Sequence, residues 1–129
     1  MRRLLGYLWA SPNSLLGLLA AALGLLSAGR WRVVRGVLEV EGPALAWLLG
    51  RAASVTGGIE AMTLGHVVLG RDANCLARCR EHELVHVRQY ERWGPLFLPA
   101  YFLASGWAWL RGGDAYRDNC FEREAFGED

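Results

Sequence analysis

Five consecutive residues, His82-Glu83-Leu84-Val85-His86, constrain this chain more than any other feature. They can act together only on an α-helix. There, residues four apart project from one face, so both imidazoles can reach a single metal ion. The glutamate between them is placed to take a proton from a water on that ion. The flanking sequence supports such a helix from Cys75 to Trp93, stopped by Gly94-Pro95. On a helical wheel His82, His86, Gln89 and Trp93 cluster on one side. Leu76, Cys79, Glu83, Val87 and Tyr90 form a neighbouring, mostly apolar face, and Arg78, Glu81, Arg88 and Arg92 lie on the opposite flank. The histidines therefore sit where core meets solvent, as a metal site in a cleft requires.

Catalytic zinc takes three protein ligands and leaves one position open. The polar segment Tyr116-Arg117-Asp118-Asn119-Cys120-Phe121-Glu122-Arg123-Glu124-Ala125 offers Glu122, 36 residues beyond His86, and Glu124. The three cysteines, Cys75, Cys79 and Cys120, are an odd number and do not suggest a closed disulfide framework. Cys79 lies one turn before His82, so a cysteine–histidine metal site is conceivable, but small buried hydrophobes are the simpler reading. His66 is expected in a strand, in a structural role or facing a substrate groove. Gln89 is expected mainly to pack, with a hydrogen bond near the site as the alternative.

The remainder of the chain sets the architecture. At 129 residues it forms one domain. A net charge of +1 gives no electrostatic case for nucleic acid, and all the basic residues are arginine. Hydrophobic residues make up 53%, and mean hydropathy is +0.14. That apolar balance is concentrated in two uncharged runs, Leu15–Ala28 and Pro95–Leu110. Ser11-Pro12 reads as the start of the first helix. From Asn13 to Ala28 it would extend about 24 Å, against a hydrocarbon core of about 30 Å. Three readings are open for it: a membrane anchor, a buried or interface-lying helix, or a signal peptide cut near Ser27-Ala28-Gly29. Arg30–Arg35 and Val37–Glu41 read as two strands broken at Gly36, Ala44–Ala53 as a helix, and Gly57-Gly58 as a loop. Ala61–Leu69 reads as a third strand kinked at Gly65, and Tyr116–Phe126 as a short helix or turn. The expected class is α+β, with the metal helix beside a small sheet and one or two apolar helices. Residues 1–29 would form the apolar N-terminal helix and residues 30–129 the domain.

The pattern His82-Glu83-x-x-His86 followed by Glu122-Arg123-Glu124-Ala125 resembles the gluzincin branch of the zincin metallopeptidases. Residues 61–126 are similar to small bacterial proteins of the minimal zincin kind. The resemblance implies a zincin-like fold and a bound Zn2+ held by His82, His86 and Glu122, with Glu124 as second choice. It implies Glu83 as general base in peptide-bond hydrolysis, and a peptide or protein substrate laid along the edge of Ala61–Leu69. Tyr116 and Arg117 are candidate oxyanion donors. Asp118 and Asn119 are candidates to orient a zinc histidine, because Phe126 stands where many relatives carry an acidic residue. A catalytically inactive zinc-binding module is the alternative, and a membrane-associated structural protein with a chance motif is a third reading. The expected location is the inner membrane of a bacterium with the site on the cytoplasmic side, or else the cytoplasm.

Overall fold

The computed structural model describes residues 2–51 and 60–127, so Gly57-Gly58 and the end of the expected Ala44–Ala53 helix lie outside the described residues. The described chain is α+β and runs α1 (Arg2–Leu26), β1 (Arg30–Val34), β2 (Val37–Glu41), α2 (Pro43–Arg51), β3 (Ala61–Leu64), β4 (Val67–Gly70), α3 (Ala73–Trp93), a 3-10 turn (Gly94–Leu96), α4 (Phe97–Leu110) and α5 (Cys120–Ala125).

The strands form one mixed sheet in the order β1-β2-β4-β3. β1 and β2 are an antiparallel hairpin. Its two turn residues, Arg35 and Gly36, both have positive φ (53° and 80°), which matches the twist of the strands they join. β2 runs parallel to β4, and β3 pairs antiparallel with β4. The expected single strand Ala61–Leu69 is therefore two strands. Gly65 takes φ 63°, a conformation that reverses the chain rather than kinking it. His66 falls in this turn and not in a strand.

Side-chain alternation then builds three layers. Val40, Val67 and Leu69 face α1 and α2, in one cluster with Ala21, Leu45 and Leu49. Val37, Ala61 and Val68 face α3, in a second cluster with Leu76 and Val87. Glu39 also points to α3, and Arg80 holds it with two hydrogen bonds of 2.9 and 3.0 Å. A third cluster, Ala10, Tyr90, Phe97 and Phe121, binds α1, α3, α4 and α5 at one end of the molecule.

The long first helix begins earlier than the Ser11-Pro12 signal suggests, and Pro12 lies inside it. Proline cannot donate to the carbonyl of Leu8, four residues back. The Ser11 hydroxyl donates to that oxygen instead, at 2.7 Å, and the helix continues. The buried side of α1 carries small residues: Gly6, Ala10, Asn13, Gly17, Ala21 and Gly24. Close approach requires them. A Cβ at Gly17 would come within 2.8 Å of the Leu64 carbonyl oxygen. The window Arg3–Leu26 is long and apolar enough to cross a membrane by length and composition.

Candidate metal centre

α3 starts where Asp72 caps it, accepting a hydrogen bond from the Cys75 amide at 2.8 Å. It ends where Gly94 turns to φ 56° and donates its amide to the Tyr90 carbonyl. Between those caps the helix presents two faces to two different neighbours. Glu83, Val87 and Tyr90 face the sheet. His82, His86 and Gln89 face the cleft between α4 and α5.

Three ligand-type atoms converge in that cleft. Glu122 Oε1 lies 2.9 Å from His82 Nε2 and 3.1 Å from His86 Nε2. The two imidazole nitrogens are 3.3 Å apart. Ligands about 2.0–2.1 Å from a tetrahedral ion stand roughly 3.3 Å from one another, so this triangle has the dimensions of three corners of such a shell. The His86 and Glu122 side chains are only 8% and 6% exposed, while His82 is 17% exposed and leaves the cluster open on its side. The cluster can hold a metal ion.

Its electrostatics favour a cation. Burial pushes the Glu122 carboxyl up, but hydrogen bonds from His82, His86 and Tyr101 outweigh burial and hold it down at about 2. Burial also works against a charged His86, yet the Glu122 carboxylate prevails and raises the imidazole above its ordinary value. Glu83 behaves oppositely. It is 7% exposed, and desolvation raises its carboxyl against the pull of His86 and Thr63. A carboxylate with raised proton affinity beside a cluster that can hold a metal ion could act as a general base.

Several supporting contacts hold the ligands. Gln89 is fully buried, and its Oε1 accepts from His86 Nδ1 at 2.8 Å. The amide orientation follows from its other end, where Nε2 donates to the Phe121 carbonyl and to Glu124 Oε1 at 2.9 and 2.7 Å. With Nδ1–H held by Gln89, His86 Nε2 is the nitrogen that faces Glu122, and once it gives up its proton its lone pair points into the cluster. On the other ligand, Tyr101 of α4 donates to Glu122 Oε2 at 2.5 Å. Thr63 of β3 donates to Glu83 Oε2, and the Tyr90 hydroxyl ties α3 to the Thr63 carbonyl at 2.9 Å.

Comparison with family models, curated proteins and solved structures finds no match.

The sequence-derived candidates separate clearly. His82, His86 and Glu122 come together. Glu124 does not join them: it sits on Gln89 and on Arg92 Nη2, both at 2.7 Å, because it lies about 200° around α5 from Glu122. Asn119 does not orient a histidine either. Fully buried, it caps α5 by accepting from the Phe121 amide, and its amide group donates to the Tyr101 carbonyl and Ser105 Oγ. Asp118 is likewise occupied, accepting from the Asp114 amide. Tyr116 lies within the field of Glu122 and Glu83, and burial together with those charges raises its phenol well above the ordinary value. Arg117 stacks over the Phe126 ring at 4.5 Å, and Phe126 packs on His82 with centroids 4.4 Å apart. Neither Asp118 nor Asn119 therefore orients a histidine of the cluster, and it is the aromatic Phe126 that packs on His82. Cys75 and Cys79 are outside the cluster, with Cys79 hydrogen-bonded to Glu60 at 3.3 Å.

Two contributors escaped the sequence reading. Tyr101 is the one titratable residue in the uncharged run Pro95–Leu110, and that isolation is its signal in the sequence. Thr63 is a polar residue at an inward position of a strand otherwise apolar on that side. Its signal exists only once β3 and β4 are read as separate strands.

Proposed function

We propose that this chain is a zinc-dependent metallopeptidase working at a membrane. The convergence of His82, His86 and Glu122, with the Glu83 carboxyl on the same helix, is the observation that carries the reading. Two neutral imidazoles and one carboxylate, closely spaced with one side open, match the donor set of a catalytic zinc site rather than a closed structural one. When bound, zinc would supply Lewis-acid chemistry, acidifying water and polarising a carbonyl.

The protein's own residues would do the rest. Glu83 accepts the proton of the attacking water and returns it to the departing amine. Thr63 keeps one Glu83 oxygen engaged, so the other is directed at the reaction. Tyr116, in the field of Glu122 and Glu83, is the candidate to donate to the developing oxyanion, with Arg117 next to it in sequence. β3 is the last strand of the sheet, and no described strand pairs with its outer side. An extended peptide can add there by backbone hydrogen bonds, next to the strand that touches Glu83.

A zinc-binding module without hydrolytic activity is the second reading. It is favoured by one observation, the aromatic Phe126 in place of an acidic partner for His82. Two measurements decide. Elemental analysis of purified protein is expected to give about one zinc per chain, lost in His82→Ala. Protein without bound metal overturns both readings. Cleavage of a peptide library is expected from the wild type and not from Glu83→Gln, which keeps its zinc. A metal-loaded wild type that cleaves nothing leaves the binding module.

A further inference from the structure

Helix α1 is tied to the folded domain along its whole length. The Tyr7 hydroxyl donates to the Gly36 carbonyl, and Trp9 Nε1 to the Arg92 carbonyl. Asn13 donates to the Gly94 carbonyl, and Ser14 Oγ accepts from the His66 amide. Gly17 lies against Val67 and Gly24 against Leu45. A helix crossing a bilayer in this fold would draw His66, Glu91 and the charged flank of α3 into hydrocarbon with it. Charged side chains at that depth cost several kcal/mol each. Yet the outward side of α1 is almost entirely apolar. Eleven of its leucine and tryptophan side chains are exposed, Leu19 by 71% and Leu26 by 87%. α4 adds Phe102, Leu103, Trp107 and Trp109, each more than 60% exposed. α4 begins beside α1, where Ala10 and Phe97 share a cluster. An apolar surface of this extent is not left to water.

The charges around it specify the cover. The first 38 residues contain five arginines and no acidic residue, and Arg111 is the only charge between Trp93 and Gly113. All acidic residues lie from Glu39 onward. Beside α1 a hollow of about 160 Å3 is lined by Arg3, Arg35 and Arg88 together with Glu91. An apolar groove of about 370 Å3 adjoins it along Leu15, Leu18 and Leu38, and Tyr7 and His66 belong to both walls. A cationic hollow that opens onto an apolar groove matches an anionic headgroup and the start of its acyl chain.

We infer that the outer side of α1 and the exposed flank of α4 form a docking face for an anionic lipid bilayer, with α1 lying in the plane of the membrane instead of spanning it. This deepens the membrane placement proposed above and is independent of zinc. Tyr101, which holds Glu122, belongs to α4 as well, so the helix that carries the exposed flank also reaches the His82–His86–Glu122 cluster.

The test uses the full chain in Glu83→Gln form, with vesicles of phosphatidylcholine alone or with phosphatidylglycerol. Flotation is expected with both, at least about fivefold stronger with the anionic lipid. Leu19→Glu with Leu103→Glu should abolish it. Because that pair could perturb folding, Arg3→Glu with Arg35→Glu, both exposed and both lining the hollow, serves as the second variant and should remove the preference for anionic lipid. Nitroxide labels at positions 4, 15 and 26, in a background with the native cysteines replaced by serine, should report one shallow depth. A deep position 15 with shallow ends would overturn the in-plane placement while keeping a membrane. Absence of vesicle binding, or self-association that persists unchanged when vesicles are added, would overturn the docking face altogether.

Discussion

Gln89 offers the sharpest test of the metal centre, because one side chain performs two separable tasks. Its Oε1 fixes the His86 tautomer, and its Nε2 fastens α5, which carries Glu122, to α3. In Gln89→Leu, of similar volume, the His86 Nδ1–H loses its buried partner, while the Phe121 carbonyl loses one donor and keeps its bond within α5. One such orphan costs about 1–3 kcal/mol of stability. For a chain of this size that is a melting point roughly 4–11 °C lower, measured in chelator. Losing the contact that orients a metal histidine should also weaken zinc binding about 10–100-fold, read by competition with a chromophoric chelator. Gln89→Glu separates the tasks. A carboxylate still accepts from His86 Nδ1, so zinc affinity should stay within about threefold of wild type. It cannot donate to Phe121 and it repels Glu124, so the melting point should still fall. Equal zinc affinity in wild type and Gln89→Leu, or equal losses in the two variants, would refute the tautomer argument.

Three further outcomes are expected. Tyr101→Phe removes one hydrogen bond to Glu122 without opening space, so zinc affinity should drop about tenfold while the melting point in chelator barely moves; an unchanged affinity would show that Glu122 is positioned by α5 alone. Gly17→Ala should destabilise by about 1–3 kcal/mol in denaturant titration, since its Cβ meets Val67 at 2.7 Å, whereas Gly106→Ala, with nothing within 4 Å, should stabilise by about 0.5–1 kcal/mol. Iodoacetamide at pH 8 should label exposed Cys120 far faster than Cys79, whose thiol burial and Glu60 push up to about 12, leaving about one part in ten thousand as thiolate; comparable rates by mass spectrometry would contradict the half-buried, Glu60-bonded position of Cys79.

Local rules made α3 legible, because its apolar face and its Gly94-Pro95 stop are encoded within a few residues, although the Asp72 cap places its start two residues before the expected Cys75. The same holds for the β1–β2 hairpin and for α2. The first helix and the third strand were misread at single residues. Pro12 looked like a beginning because the hydroxyl that replaces its missing donor is itself a local detail of Ser11. Gly65 looked like a kink because only pairing with a neighbour distinguishes a bend from a reversal.

By itself, then, the sequence determined which side chains could bind a metal, since ligand chemistry and a four-residue helical spacing are properties of the chain. It also determined the segregation of arginine and acid that leaves the apolar helices flanked only by positive charge. Tertiary structure alone decided between Glu122 and Glu124, because two residues apart on a helix face different neighbours and only packing says which neighbour is α3. It alone brought Tyr101 to Glu122 and Thr63 to Glu83, and it alone turned the long first helix sideways against the sheet. Those contacts join residues 20 or more positions apart, and no local rule carries information over that distance.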